Sequence, residues 1–425
     1  MAQDTIRIRM YAVGFGDCFL LGFPGPAGSP ERLMLIDCGV HNASRRGADI
    51  VKDVIPDILR QASATNGKPR IDVVVATHHH LDHVSGFRVE GWDEVEVGEV
   101  WLPWTEDPDD IDAVRIRARQ SKQAKFLLGL DAEKDKKWET VRAISENNVG
   151  YTNAAAMTTL HDGFAGAPPR SFLPESPGKP RSRRFMPKVI PGLEVVILGP
   201  SRDEAAIRDM NPPSGESYFR FGNDRMLGAS GEPLPFTPFF IEPSAYASAF
   251  KDLVPRHSSE LKNVAKAGRT DALALAVALE QATNGTSLVL LLRFGDTTLL
   301  FPGDAQWGTW DRMLHDPESQ DLLRTVNFHK VGHHGSHNAT PVSFVKNYLH
   351  DADGSMVSVA PTSIPSWKDI PKGTLLTALG EKSAIVLDSD HLREAAIAGK
   401  PAPADPIVNE AKDGLWTEIR LPVKR

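Results

Sequence analysis

Residues 73–86 read VVVATHHHLDHVSG, and the fold turns on what this stretch does. The segment IDVVVA (71–76) is a short run, apolar but for Asp72. Such a run lacks the polar alternation of a half-exposed strand and predicts one buried on both faces. Directly behind it stand His78, His80, Asp82 and His83, in the spacing H-x-H-x-D-H. Imidazole nitrogens and carboxylate oxygens are the usual donors to zinc and other divalent ions. On a loop leaving a strand end, His78 and His80 face one point while Asp82 and His83 face another. One short loop could then serve two adjacent ions. A solvated histidine tract would not follow a buried strand or carry an aspartate at a set position.

Other strand ends carry the same chemistry. Asp37 closes RLMLIDCG (32–39), where a carboxylate could orient a ligating histidine; taken alone, it fits a turn equally well. Asp304 closes TTLLFPGD (297–304), where it could bridge two metals or cap the following helix. HKVGHHGSHN (329–338) holds His329, His333, His334 and His337, too many imidazoles for packing alone.

Around these motifs the chain reads as α/β. Strands are predicted at TIRIRMYAV (5–13), DCFLLGF (17–23), RLMLIDCG and VGEVWLP (97–103), with a helix over 47–62 that Pro56 should kink or restart. Between about Thr105 and Asn284 the character changes to charged helical sequence and Pro-rich loops, among them GAPPRSFLPESPGKPRSRRFMPK (166–188). Strand patterns return at SLVLLLRF (287–294). The predicted organisation is residues 1–104 as one half of a domain, 105–283 as an insertion of helices and long loops, and 284–425 as the second half.

Composition narrows the class. With 425 residues, 41% apolar and 24% charged, the chain is globular in character, and a net charge of −7 argues against a basic nucleic-acid coat. Two cysteines, Cys18 and Cys38, are too few for a disulfide framework. No apolar run reaches the ~20 residues of a membrane span, and no signal-peptide plan opens the chain, so a cytoplasmic protein is expected.

The set GFGDCFLL, LIDCG, THHHLDHVSG, NGTSLVLLL, LLFPGD and KVGHHGS resembles the metallo-β-lactamase fold superfamily. Within it, the set is most similar to the hydrolase domain of ComEC-like DNA-uptake proteins. The likeness runs over roughly residues 5–102 and 284–390. It implies an αββα sandwich with a dinuclear Zn²⁺ or Mn²⁺ site at one edge. By position, His78 and His80 would bind one metal and Asp82 and His83 the other. Asp304 would bridge, and either His333 or His334 would complete the site. Asp82, Asp304 and His334 would then carry catalysis, and the other histidine of the pair would protonate the leaving group or grip a phosphate. Lys330, Ser336 and Asn338 are weaker candidates for phosphate contacts. Two departures stand out. The histidine that the family often supplies before the bridging carboxylate has only His161, beside His257, as a candidate here. A Tyr-Gly-His-Pro-like segment is replaced by SIPSWKDIPKG (363–373), where Asp369 or solvent would stand in.

The implied reaction is hydrolysis of a DNA or RNA phosphodiester by a hydroxide that the ion pair activates. Arg181, Arg183, Arg184 and Lys188 could track a phosphate backbone, and Trp101, Trp104, Trp307 and Trp310 could stack bases. A solvated loop and ordinary core packing are the competing readings of these two sets. The rival functions are a small-molecule ester, lactone or thioester hydrolase and a partner-regulated effector. In the latter, a regulatory protein or a protease would act on the insertion where 166–188 covers the cleft.

Overall fold

Strand pairing sorts the chain into two mixed sheets that lie face to face. The computed structural model describes residues 4–26, 29–41, 50–63, 67–130, 139–149, 151–210, 212–213, 215–218, 269–336, 339–350, 356–362, 373–383, 385–388, 407–411 and 414–423. Asn338, His337, Asp369 and His257 fall outside them.

In the first half, β1 (Thr5–Tyr11), β2 (Cys18–Phe23) and β3 (Arg32–Cys38) form an antiparallel meander. A π-helical turn (Ile50–Val54) gives way to helix α1 (Ile55–Ser63) at Pro56, a residue tolerated in a first turn, and α1 leads to β4 (Arg70–Val75), which runs parallel to β3. The short α2 (Leu81–Val84) carries the metal-seeking motif and precedes β5 (Glu96–Pro103). Next come α3 (Ile111–Leu130), α4 (Glu139–Val149) and α5 (Tyr151–Thr158). The strands β6 (Arg170–Leu173), β7 (Arg184–Phe185) and β8 (Leu193–Gly199) precede α6 (Arg269–Asn284). The return half contains β9 (Val289–Phe294), β10 (Thr297–Phe301), α7 (Trp307–His315), α8 (Pro317–Leu323) and β11 (Val326–Lys330). It ends with β12 (Val357–Ala360), α9 (Gly373–Gly380), β13 (Ile385–Asp388), β14 (Ile407–Glu410) and β15 (Trp416–Pro422).

One sheet has the order β14-β15-β1-β2-β3-β4-β5-β6 and the other β13-β12-β11-β10-β9-β8-β7. Period-two alternation aims Ile6, Ile8, Val73 and Val75 of the first sheet at Leu290, Leu292, Phe301 and Phe328 of the second. The reverse faces are covered by helices. Ile71 and Val74 pack with Ile55 and Ile58 of α1, while Leu291 and Leu300 pack with Trp310, Leu323 and Leu379. The result is the expected helix–sheet–sheet–helix sandwich.

The stretch 105–283 contributes to the sandwich itself. β6 extends the first sheet in parallel with β5, and β7 and β8 build the edge of the second. Helices α3, α4 and α6 share their own apolar cluster through Leu127, Ile144, Leu275 and Leu279. Three arginines of 166–188 are engaged by neighbouring side chains. Arg181 donates to Glu99 and Ser171, Arg183 pairs with Asp316, and Arg184 donates to Glu194 and Glu318. Of the expected phosphate-tracking set, the three arginines thus have acidic partners, while Lys188 is exposed. The tryptophans do not form a stacking platform: Trp101, Trp104, Trp307 and Trp310 are all buried in the core. No helix among the described residues is long and apolar enough to cross a membrane.

Candidate metal centre

Parallel strands end on one edge of a sandwich, and here the ends of β3, β4, β10 and β11 deliver their following residues to one place. Asp37 sits within the last turn of β3 at a left-handed φ of 55°. Its Oδ1 accepts from the Thr77 backbone N–H at 2.7 Å and its Oδ2 from the Thr77 hydroxyl at 2.7 Å. The exit of β4 is thus anchored to the exit of β3. Gly39 makes the approach possible: a Cβ there would lie 2.3–2.5 Å from the backbone of Asp82 and His83. Across the sandwich, the Leu288 N–H donates to the Thr77 carbonyl at 2.8 Å, and the Asp304 N–H donates to Ser287 Oγ at 3.1 Å.

The last strand tip is strained. His333 and His334 adopt φ of 45° and 53°, and Gly335 follows at 79°. Successive non-glycine residues in this region cost about 1–2 kcal/mol each. The strain turns His334 inward and His333 outward.

The side chains meet in pairs. His83 gives its Nδ1 to Asp37 Oδ2 at 2.8 Å and presents Nε2 to Asp304 Oδ2 at 3.3 Å. His334 gives Nδ1 to the Pro361 carbonyl at 2.8 Å and presents Nε2 to Asp82 Oδ2 at 3.3 Å. Because Nδ1 must be the donor in both rings, each Nε2 lone pair faces a carboxylate oxygen. Two acceptors at that spacing need a proton or a cation between them. Beside them, His78 Nε2 and His80 Nδ1 lie 2.9 Å apart. His78, His83 and Asp304 can offer ligand atoms within 4.8 Å of one another, as can Asp17, His83 and His334. Asp17, however, reaches both rings from their Nδ1 sides, at 3.7 Å, where Asp37 and Pro361 already bind. We assign it to the rear of the site.

Electrostatics match that arrangement. Burial lowers His83, but Asp304, Asp37 and Asp17 outweigh it and hold the imidazole well above its usual range. Burial likewise lowers His334, and its bond to Asp82 with the nearby carboxylates raises it. Burial would raise Asp82 and Asp304; the facing histidines pull Asp82 well below the carboxylate range, and His83 with Lys330 does the same for Asp304. Burial holds His78 well below 6.5 and His80 down to about 3. Asp17, Asp37, Asp82 and Asp304 are all buried, and the Lys330 ammonium pairs with Asp17 and Asp304. Asp82 Oδ1 and Asp17 Oδ1 have no hydrogen-bond partner among the described residues. Buried, under-neutralised carboxylates facing imidazole lone pairs are a donor set that fits divalent cations.

Several expected residues lie elsewhere. Lys330 is buried, pairs with Asp17, and donates to Asp304 and the Gly303 carbonyl, so it neutralises the site from behind and does not face a substrate. Ser336 is buried and bonds His333 Nδ1 at 2.8 Å. His333 gives its backbone N–H to Asp304, and its Nε2 lies 3.4 Å from Asn284 Nδ2. His334 therefore faces the carboxylates and His333 stands beside them. His329 packs on Phe344 in the helix-covered face, away from the cluster. His161 stacks on Phe172 and belongs to neither ligand group.

The sequence did not single out Asp17, Asn148 or Glu280. Asp17 lies in the quoted GDC turn, yet one aspartate in a turn carries no ligand spacing. Asn148 Oδ1 lies 3.1 Å and Glu280 Oε2 3.5 Å from His80 Nε2, brought there by α4 and α6. Burial pushes the Glu280 carboxyl up to about 8, with Asp82 adding to the shift.

Residues 11–227, just over half of the chain, match the family model of the metallo-beta-lactamase superfamily. Comparison with curated proteins gives no match.

Proposed function

Since the chain belongs to the metallo-beta-lactamase superfamily, we propose that it is a phosphodiesterase that hydrolyses DNA or RNA with two divalent ions. The family and the buried His/Asp groups support metal-dependent hydrolysis. The observation that carries the reading is the pair of facing couples, His83 with Asp304 and His334 with Asp82. The likeness of KVGHHGS to the ComEC-like branch supports nucleic acid as the substrate.

In this reading His78, His80 and Asp304 would hold one ion, and Asp82, His83 and His334 would hold the other. Zn²⁺ or Mn²⁺ would supply Lewis acidity, bringing the pKa of water toward neutrality and offsetting charge on phosphoryl oxygens. The protein's part is preorganisation. Asp37 and the Pro361 carbonyl occupy Nδ1 of His83 and His334, which leaves Nε2 as the nitrogen aimed inward for an ion. Lys330 holds Asp304 and Asp17 in place. His333, half-buried between Ser336 and Asn284, is the remaining histidine of the pair and would protonate the leaving oxygen or grip a phosphate.

The test offers single- and double-stranded DNA and RNA, bis-p-nitrophenyl phosphate, nitrocefin and a lactone, each with Mn²⁺, Zn²⁺ or Mg²⁺. Nucleic-acid cleavage that disappears in Asp82→Ala and His83→Ala is the expected result. Turnover of nitrocefin or the lactone alone would replace this reading with a small-molecule hydrolase. Metal binding without any turnover would replace it with a partner-regulated effector.

A further inference from the structure

His80 is gripped from outside the loop that carries it. Asn148, on α4, donates from Nδ2 to the Ile144 carbonyl at 2.9 Å and to Glu280 Oε2 at 2.9 Å. A backbone carbonyl can only accept, so this contact fixes which end of the amide is nitrogen. Flipping the amide would set oxygen against oxygen. The remaining end, Oδ1, accepts from the Thr283 hydroxyl of α6 at 2.6 Å and faces His80 Nε2 at 3.1 Å. His80 must then carry its proton on Nε2. That leaves the lone pair on Nδ1, the nitrogen lying 2.9 Å from His78 Nε2. Glu280 completes the clamp, held by Asn147 Nδ2 at 3.1 Å as well as by Asn148.

We propose that Asn148, braced by Glu280 and Thr283, is a positioning residue that locks His80 in the Nε2–H tautomer and so dictates that Nδ1 is its metal-binding atom. The proposal rests on the reading of His80 as a ligand. It goes further by assigning the choice of nitrogen to two helices outside the histidine motif. The logic is that of a second layer of hydrogen bonds around a metal: a neutral imidazole offers one lone pair, and its other nitrogen needs a fixed acceptor.

The test joins long-range ¹H–¹⁵N spectra of ¹⁵N-histidine-labelled, metal-free protein with Zn²⁺ calorimetry. The wild-type His80 signal, identified by its loss in His80→Gln, should show the Nε2–H form; an Nδ1–H form would overturn the proposal without any further variant. Asn148→Leu should mix the tautomers and weaken one Zn²⁺ site about 10–100-fold, with the number of ions at saturation unchanged. His80→Gln separates the two levels. If it binds Zn²⁺ like wild type, His80 is not a ligand and both readings fall. If it loses an ion while Asn148→Leu keeps wild-type affinity and a single tautomer, the positioning role alone is overturned.

Discussion

Nε2 of His334 lies 3.3 Å from Oδ2 of Asp82, across 252 residues of sequence. Asp82 leaves a strand of one sheet, and His334 follows the tip of a strand in the other. The contact therefore exists only when the two sheets are stacked. Folding and assembly of the site are a single event, and changes behind the ligands should be felt at them.

Asp37→Asn tests the support of His83. Asparagine tolerates the left-handed backbone and can still take the Thr77 N–H on its oxygen. Its amide nitrogen cannot accept from His83 Nδ1–H. Zn²⁺ affinity should drop about 10–100-fold, with a metal-free melting temperature within a few degrees of wild type. Calorimetry showing unchanged affinity would remove Asp37 from the account.

Lys330→Met should destabilise the metal-free protein. It strips the ammonium from Asp17 and Asp304, both buried. Leaving buried charges without a partner costs about 3–5 kcal/mol. Adding Asp17→Asn removes one of the orphaned charges and should recover a large part of that loss. The check is urea unfolding; a single variant as stable as wild type contradicts the assignment of Lys330 to the rear of the site.

His329→Leu should stabilise the protein, and most strongly in acid. Burial holds His329 down to about 3, and neither ring nitrogen has a hydrogen-bond partner among the described residues. An unfolded histidine titrates near about 6.5. Between about pH 6.5 and about 3 the unfolded chain therefore takes up the proton first, and stability falls as pH falls. Removing the imidazole flattens that limb, so the gain should be larger at about pH 4 than at about pH 7 by on the order of 3 kcal/mol. Unfolding curves at the two pH values measure it, and equal gains would contradict the assigned titration.

Much of this was legible because strand ends announce themselves. IDVVVA, TTLLFPGD and the run before KVGHHGS are apolar segments that stop at donors, and their side chains do converge. The match of residues 11–227 agrees with that reading of the fold. β6 and β7 escaped because RSFL and RF lie in Pro- and Arg-rich sequence. They are edge strands, where prolines nearby are tolerated and the strand can be very short. Lys330 reads as a phosphate contact, since lysine is rarely buried unless paired, and its partner Asp17 is remote in sequence. Asn148 and Glu280 were invisible for a related reason. They stand 132 residues apart on two helices, and only helix packing brings them to His80. Which of His333 and His334 turns inward depended on three successive left-handed residues, a backbone choice that the letters HHG do not reveal.

The most direct measurement is an anomalous difference map from crystals soaked in Zn²⁺, with data collected on both sides of the zinc absorption edge. The account predicts one peak bounded by His78, His80 and Asp304 and a second bounded by Asp82, His83 and His334. Zinc bound only elsewhere, with these side chains left hydrogen-bonded to one another, would contradict it.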